Sequence, residues 1–350
     1  MNAVKTTRQW ALRPLLLALV LSSATVAAQS REINQPVAKG AYEMAWSNSG
    51  NALWLASAGS FKLDKGGVVY RLDPQNLTVT QIIHNDIKPF GAAINNQTNR
   101  LFVGNTVNGS VTAIDANSGE VLKRLVLDGR KRSETVKPLQ PRELVVDEAS
   151  DRVYITGVGA ESVVWVVNGS DLSLISTIPD TGKAATGLAL DAAAQKLYVT
   201  NSEGELVTIN TRTNAIEKRQ KLDAEKEHFF LNIALDPASH RAFLSDSKQP
   251  QVLVVDTRSQ AIVHKIDVPE SLAVLFNPQR NELYVTHRKA GSISIIDARS
   301  YRVKRTIEAQ GLPNSLALAA DGNTLYVSVK QPSSRKQEAT QPDSVMRIAL

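Results

Sequence analysis

The amino-acid sequence predicts an all-β fold, a seven-bladed β-propeller of four-stranded antiparallel blades, and three observations carry that prediction. A β-branched strand bearing one aromatic recurs seven times, with the aromatic at Trp54, Phe102, Tyr154, Tyr198, Phe243, Tyr284 and Tyr326. The copies stand 41 to 52 residues apart, the spacing of a blade repeat. Each period holds four short apolar stretches divided by Gly, Pro, Asn and Asp clusters suited to tight turns. One blade cannot bury both faces of its sheet, whereas seven in a ring can.

Residues 280–322 show one unit complete: ELYVTH, SISIID, RVKRTIE and SLAL, separated by KAG, ARS, GLPN and ADGN. No stretch keeps a helical apolar spacing for long enough to argue for a helix. The innermost strands are expected at 42–47, 90–95, 142–147, 186–191, 231–236, 271–277 and 315–319. Small residues there, such as Ala93, Gly187, Ala234 and Ala317, suit a crowded axis. The third strands run from GGVVYRLD to DSVMRIAL, which ends at Leu350.

The seventh blade therefore lacks an outermost strand. The unassigned segment 31–39, REINQPVAK, is expected to lie outside Val345 to Leu350 and close the ring with main-chain hydrogen bonds, covering an edge that would otherwise invite aggregation. Residues 29–350 are read as a single domain. Residues 1–28 read as a leader: Lys5, Arg8 and Arg13 precede an apolar core at Leu15 to Leu21, and Val26-Ala27-Ala28 supplies the small residues of a cleavage site. Cleavage after Ala28 and export to the periplasm are expected, with no membrane contact once the leader is gone.

The chain contains no cysteine, which excludes disulfides, thiolate metal sites and cysteine nucleophiles. The formal charge is +6, and loss of a leader with three basic and no acidic residues would leave +3. Such an excess permits an anionic partner without demanding one.

Short, interchangeable turns fall on one face of the ring. Loops of varied length, 58–66, 84–89, 128–141, 179–185, 223–229 and 330–342, fall on the other, and loop variation on a rigid scaffold is where binding usually resides. That face carries Lys62, Lys65, Lys88, Arg130, Lys131, Arg132, Arg142 and Arg288, with Phe90 and Phe229 among them. Cations that track phosphates beside aromatic faces on which bases stack suit single-stranded nucleic acid. The same loops hold Asp64, Asp86, Asp180, Glu225, Glu227 and Asp246, so the face as a whole is close to balanced.

His84, His228 and His287 lie on or beside this face, but they come from three blades without short ligand spacing, and no metal site is assigned. Glu43 and Glu143 align with Asn232 near the axial mouth, where they could coordinate a cation, act as acid and base or stand solvated by channel water. There is no GxSxG elbow, HExxH helix, phosphate loop or dinucleotide fingerprint. No catalytic residue and no cofactor is assigned.

LYVTN at 197–201, LYVTH at 283–287 and LYVSV at 325–329, each followed by a strand such as GSISIID, resemble the YVTN family of β-propeller repeats. The blocks KGAYEMAW, KLDKGGVVYRLDP, HNDIKPFGAAINN, RLVLDGRKR, KPLQPREL, KEHFF and ESLAVLFNP are similar to those of a periplasmic seven-bladed member, and the likeness covers roughly 39–350. The resemblance implies a soluble periplasmic protein with no established reaction, for which DNA binding with a leaning to single strands has been proposed. It names no catalytic residue. Propellers host many unrelated activities, so the fold does not choose among them.

The sequence thus favours a monomeric, non-catalytic binding protein that takes single-stranded DNA or another polyanion on its irregular face. The alternatives are an enzyme of the lactonase or quinoprotein-like type working in the axial mouth, and a scaffold that docks a protein partner.

Overall fold

The structure is a computed structural model that describes Met1, residues 32–60, Lys62, residues 65–334 and residues 336–350. The chain divides after Ser30, and the propeller is the unit Arg31–Leu350. The expected leader and its cleavage point lie outside the described residues.

Seven four-stranded antiparallel sheets form the unit. The first six blades occupy residues 41–85, 89–126, 140–178, 187–221, 230–267 and 274–308. The seventh consists of Leu312–Leu318, Thr324–Lys330 and Asp343–Ala349, completed by Glu32–Ala38 as its outermost strand. Glu32 stands opposite Ile348, and the antiparallel pairing runs to Ala38 opposite Asp343. The expected ring closure is therefore present. The described helical content is a single 3-10 turn, Pro237–Ser239, and among the described residues no helix is long and apolar enough to cross a membrane.

The core consists of layers between blades. Trp54, Phe102, Tyr154, Phe243, Tyr284 and Tyr326, the recurring aromatics of the second strands, are fully buried. Each apolar cluster joins neighbours: Leu53 and Leu55 of blade 1 pack with Ala317, Tyr326 and Val345 of blade 7. Tyr154 and Val164 of blade 3 pack with Leu188 and Val207 of blade 4. A strand with apolar groups on both faces fits here because each sheet is covered on both sides.

The Thr or Ser two positions after that aromatic has a structural role of its own. Thr286 accepts the N–H of Ala273 at 3.0 Å and donates to the carbonyl of Asn314 in the next blade at 3.0 Å. Ser245 likewise accepts from Asn232 at 2.9 Å and donates to Leu272 of the following blade at 2.8 Å. Thr200 donates to Phe230 of blade 5 at 3.2 Å. The hydroxyl of the repeat motif is thus a bolt between blades.

These bolts sit where the innermost strands are irregular. The register shifts between Ala41 and Met44, Pro89 and Gly91, Pro141 and Leu144, Phe230 and Asn232, and Pro313 and Leu316. At each shift two residues face one on the partner strand, or one residue is left over, which is a β-bulge and re-aims side chains. Gly91 has no Cβ because one would stand 2.1 Å from the carbonyl oxygen of Arg142, so neighbouring bulges approach closely at the axis. In blade 6 the regular inner strand is only Val274–Asn277, shorter than the expected 271–277, because Leu272 and Ala273 bond to Thr286 outside the regular ladder.

Candidate functional site

The bulges place Tyr42, Glu43, Phe90, Arg142, Glu143, Leu231, Asn314 and Ser315 at the axial end of the ring on the irregular face. Pro89, Pro141 and Pro313 precede three of them, and a residue without a backbone N–H is tolerated where the ladder is already interrupted. This recurring Pro was the sequence signal that could have pointed to the site.

Two cavities meet there. The larger, about 810 Å³, lies over blades 1 and 2 and is lined, among the described residues, by Lys39, Lys62, Lys88, Arg132, Lys137, Arg142, Lys330 and Lys336 against Glu338 and Asp343. On its floor the rings of Tyr42 and Phe90 lie 3.9 Å apart between centroids. Arg142 stands 4.0 Å above the Phe90 ring, and the Lys330 ammonium lies 3.9 Å over Tyr42. Such cation–π contacts set both cations in place.

The eight cations divide by environment. Lys88 is buried and donates to the carbonyls of Ala58 and Ser60 at 3.0 and 2.6 Å, which pins the loop after Ala52–Ser57. Lys330 is buried against Asp343 at 3.2 Å. Lys39, Lys62, Arg132, Lys137 and Lys336 are exposed and form no ion pair among the described residues. The cleft's outward charge is theirs.

Elsewhere on the face several cations are neutralised in place. Arg130 is held by Asp128 through bonds of 2.9, 3.0 and 2.5 Å, and the guanidinium beside it keeps the Asp128 carboxyl down at about 2. Arg124 pairs with Asp86 at 2.7 Å, Lys248 with Glu227 at 2.9 Å and Lys265 with Asp223 at 2.5 Å. The near balance read from the sequence is real over the whole face and false inside the cleft.

Of the residues singled out from the sequence, Lys62, Lys88, Phe90, Arg132 and Arg142 line the cleft. Lys65 and Lys131 are exposed beside it in sequence but are not part of its wall, and Arg130 is spent on Asp128. Arg288 approaches Asn314 at 3.5 Å, and its charge opposes that of Arg142. Phe229 is half-buried in blade 5, bonded through its backbone to Asp246 and Ser247. Phe90 is faced by Tyr42 and Arg142, so its role is to orient them. The sequence reading missed Lys39, Tyr42, Lys330 and Lys336.

The smaller cavity, about 420 Å³, is the upper part of the axial channel and shares Phe90 and Arg142 with the cleft. Its polar side carries Glu43, Glu143, Thr186, Asn232 and Ser315, and the remainder is mostly aliphatic. Burial raises the Glu43 carboxyl to about 7, with the Arg142 charge pulling it back. Burial and the neighbouring Glu43 charge push Glu143 up as well, again against Arg142. Each carboxyl is thus pushed toward its protonated form by burial while the one guanidinium beside them favours the charged form. The histidines are engaged separately: His228 bonds Asp246 at 2.6 Å, His287 bonds Ser294 at 2.8 Å and His84 is exposed. Among the described residues no three His, Asp or Glu side chains are grouped to hold a metal.

A closed seven-bladed ring with one cationic cleft at its axial mouth defines a β-propeller of the binding or catalytic kind. Comparison with known proteins narrows this. The chain is 62% identical over 333 residues to YncE of Salmonella typhimurium, covering 95% of this chain and 94% of that one, and equally to YncE of Escherichia coli strain K12. It belongs to the YncE family. A family model described as "SMP-30/Gluconolactonase/LRE-like region" matches residues 39–203, which span blades 1 to 3 and the start of blade 4. Among solved structures, Kuenenia stuttgartiensis hydrazine synthase is similar in fold, with a TM-score of 0.71 at 13% identity over 83% of this chain and 93% of that one.

Proposed function

We propose that the protein binds a flexible polyanion, single-stranded DNA foremost, in the cleft over blades 1 and 2. The observation that carries this reading is the local charge: among the described residues, five exposed cations without an ion pair surround a cavity whose carboxylates are Glu338 and Asp343, the latter already paired to Lys330. A cavity of about 810 Å³ lies within the roughly 300–1,000 Å³ range of small-ligand pockets and suits a few nucleotides. Phosphates meet Lys62, Arg132 and Lys137, while a base entering between them meets the guanidinium plane of Arg142 on the side away from Phe90, a surface on which bases stack. Export to the periplasm, expected from the leader, and a monomeric state belong to the same proposal.

The test is calorimetric titration of purified protein with oligothymidylate at several salt concentrations. Affinity should fall linearly on a log–log plot, by about 0.7 per phosphate contact for single strands. The triple variant K62E/R132E/K137E should bind far more weakly. An isotherm indifferent to both salt and these charges sinks the reading.

A second reading, hydrolytic chemistry in the axial channel, draws on the raised carboxyls of Glu43 and Glu143 lining one cavity and on the gluconolactonase-like match. Turnover of lactones by the wild type and its absence in E143Q would be its support.

A further inference from the structure

We infer that the cleft takes the free end of a single strand rather than a run in its middle. This deepens the proposed function and rests on it.

The walls decide the question. The ring order puts blades 1 and 2 between blades 7 and 3. Loop residues 331–342, joining Thr324–Lys330 to Asp343–Ala349, supply Ser333, Lys336 and Glu338 to one side of the cleft. The connection 127–139, between Val121–Val126 and Gln140–Asp147, supplies Arg132 and Lys137 to the other. The blade 1 loop after Ala52–Ser57, pinned by Lys88, adds Gly59 and Lys62. On the axial side Phe90 and Arg142, stacked at 4.0 Å, stand between the cleft and the channel. The cavity is therefore a pocket with a floor.

The charge agrees with the walls. A strand that passes through needs cations along its path on both sides, since each phosphate brings a charge. Two cations beside the cleft are held by acids: Arg130 by Asp128 next to blade 3 and Arg124 by Asp86 at blade 2. Five exposed cations without an ion pair among the described residues line the pocket, while Lys65 and Lys131 stand exposed outside its wall. A continuous strand would have to enter and leave through one mouth, bringing its phosphates together, whereas an end enters once.

Calorimetric titration of unlabelled oligothymidylates separates the two modes. A linear strand of about 60 nucleotides, several times any single-strand site size, is compared with the ligated circle of the same length and with a short linear oligomer. End capture predicts that the short and long linear strands bind with similar affinity per strand, and that the circle binds about tenfold or more weakly. It also predicts no more than two protein molecules on the long strand. Equal affinity for circle and linear strand, with several proteins on each, overturns end capture and leaves the proposed function standing. Failure of every strand to bind at low salt overturns both.

Discussion

The side chain of Asp343 accepts the backbone N–H of Ala41 at 2.9 Å, a bond spanning 302 residues of sequence. The same carboxylate holds Lys330 at 3.2 Å and the N–H of Gln331 at 2.6 Å. One buried group therefore ties the last strand of blade 7 to the first of blade 1, next to the strand Glu32–Ala38 that closes the ring. It also shapes the cleft, since Lys330 lies over Tyr42.

The variant D343A leaves the Lys330 ammonium buried without its partner. Removing one member of a buried pair typically costs about 3–5 kcal/mol. Denaturant unfolding should show that loss, whereas E32A, which breaks the more exposed pair with Arg305, should cost no more than about 1 kcal/mol. Equal effects from the two would contradict the bolt at Asp343.

Replacing Thr286 by Val keeps the shape and removes the hydroxyl that serves Ala273 and Asn314. A buried polar group left unsatisfied costs about 1–3 kcal/mol. T286V should be destabilised by that order, and T286S should recover most of it. If T286S were as unstable as T286V, packing of the methyl rather than the bolt would be the cause.

Among the cationic residues, effects on DNA binding should follow pairing rather than charge alone. K62A or K137A should each lower the salt slope by about 0.7. R130A should change it little, because Arg130 already spends its charge on Asp128. Comparison of log Kd against log salt for the three variants checks this.

The axial carboxyls predict a pH dependence. Glu43 has an ordinary value of 4.5 and is raised to about 7 in the folded protein. Between those values the folded state keeps a proton that the unfolded chain has released, so stability falls as pH rises through that window. The stabilising contribution is complete below 4.5 and gone above about 7. Proton uptake also makes the surroundings of Arg142 more positive, so DNA affinity should rise as pH falls through 7. Unfolding and titration from pH 5 to 8 measure both trends, and E43Q should flatten them.

Much of this architecture is written in short-range chemistry. The alternation of β-branched residues, the aromatic at Tyr284 and its six counterparts, and the turn residues between strands each act within a few positions, and they dictate sheets of four. Pairing of residues 31–39 with the C-terminal strand was legible too, because a missing outer strand and one spare segment leave a single arrangement that hides the edge.

The cleft was not legible in the same way. Lys39, Lys62, Arg132, Lys137 and Lys336 are separated by up to nearly the whole chain, and only closure of the ring puts blades 7, 1, 2 and 3 around one cavity. Composition counted Arg130 and Lys62 alike, yet Asp128 silences one while no acid among the described residues pairs with the other. Repeat chemistry is local and so can be read along a chain; the free charge at a surface depends on which acid each cation meets in space, and that is settled only when the blades are assembled.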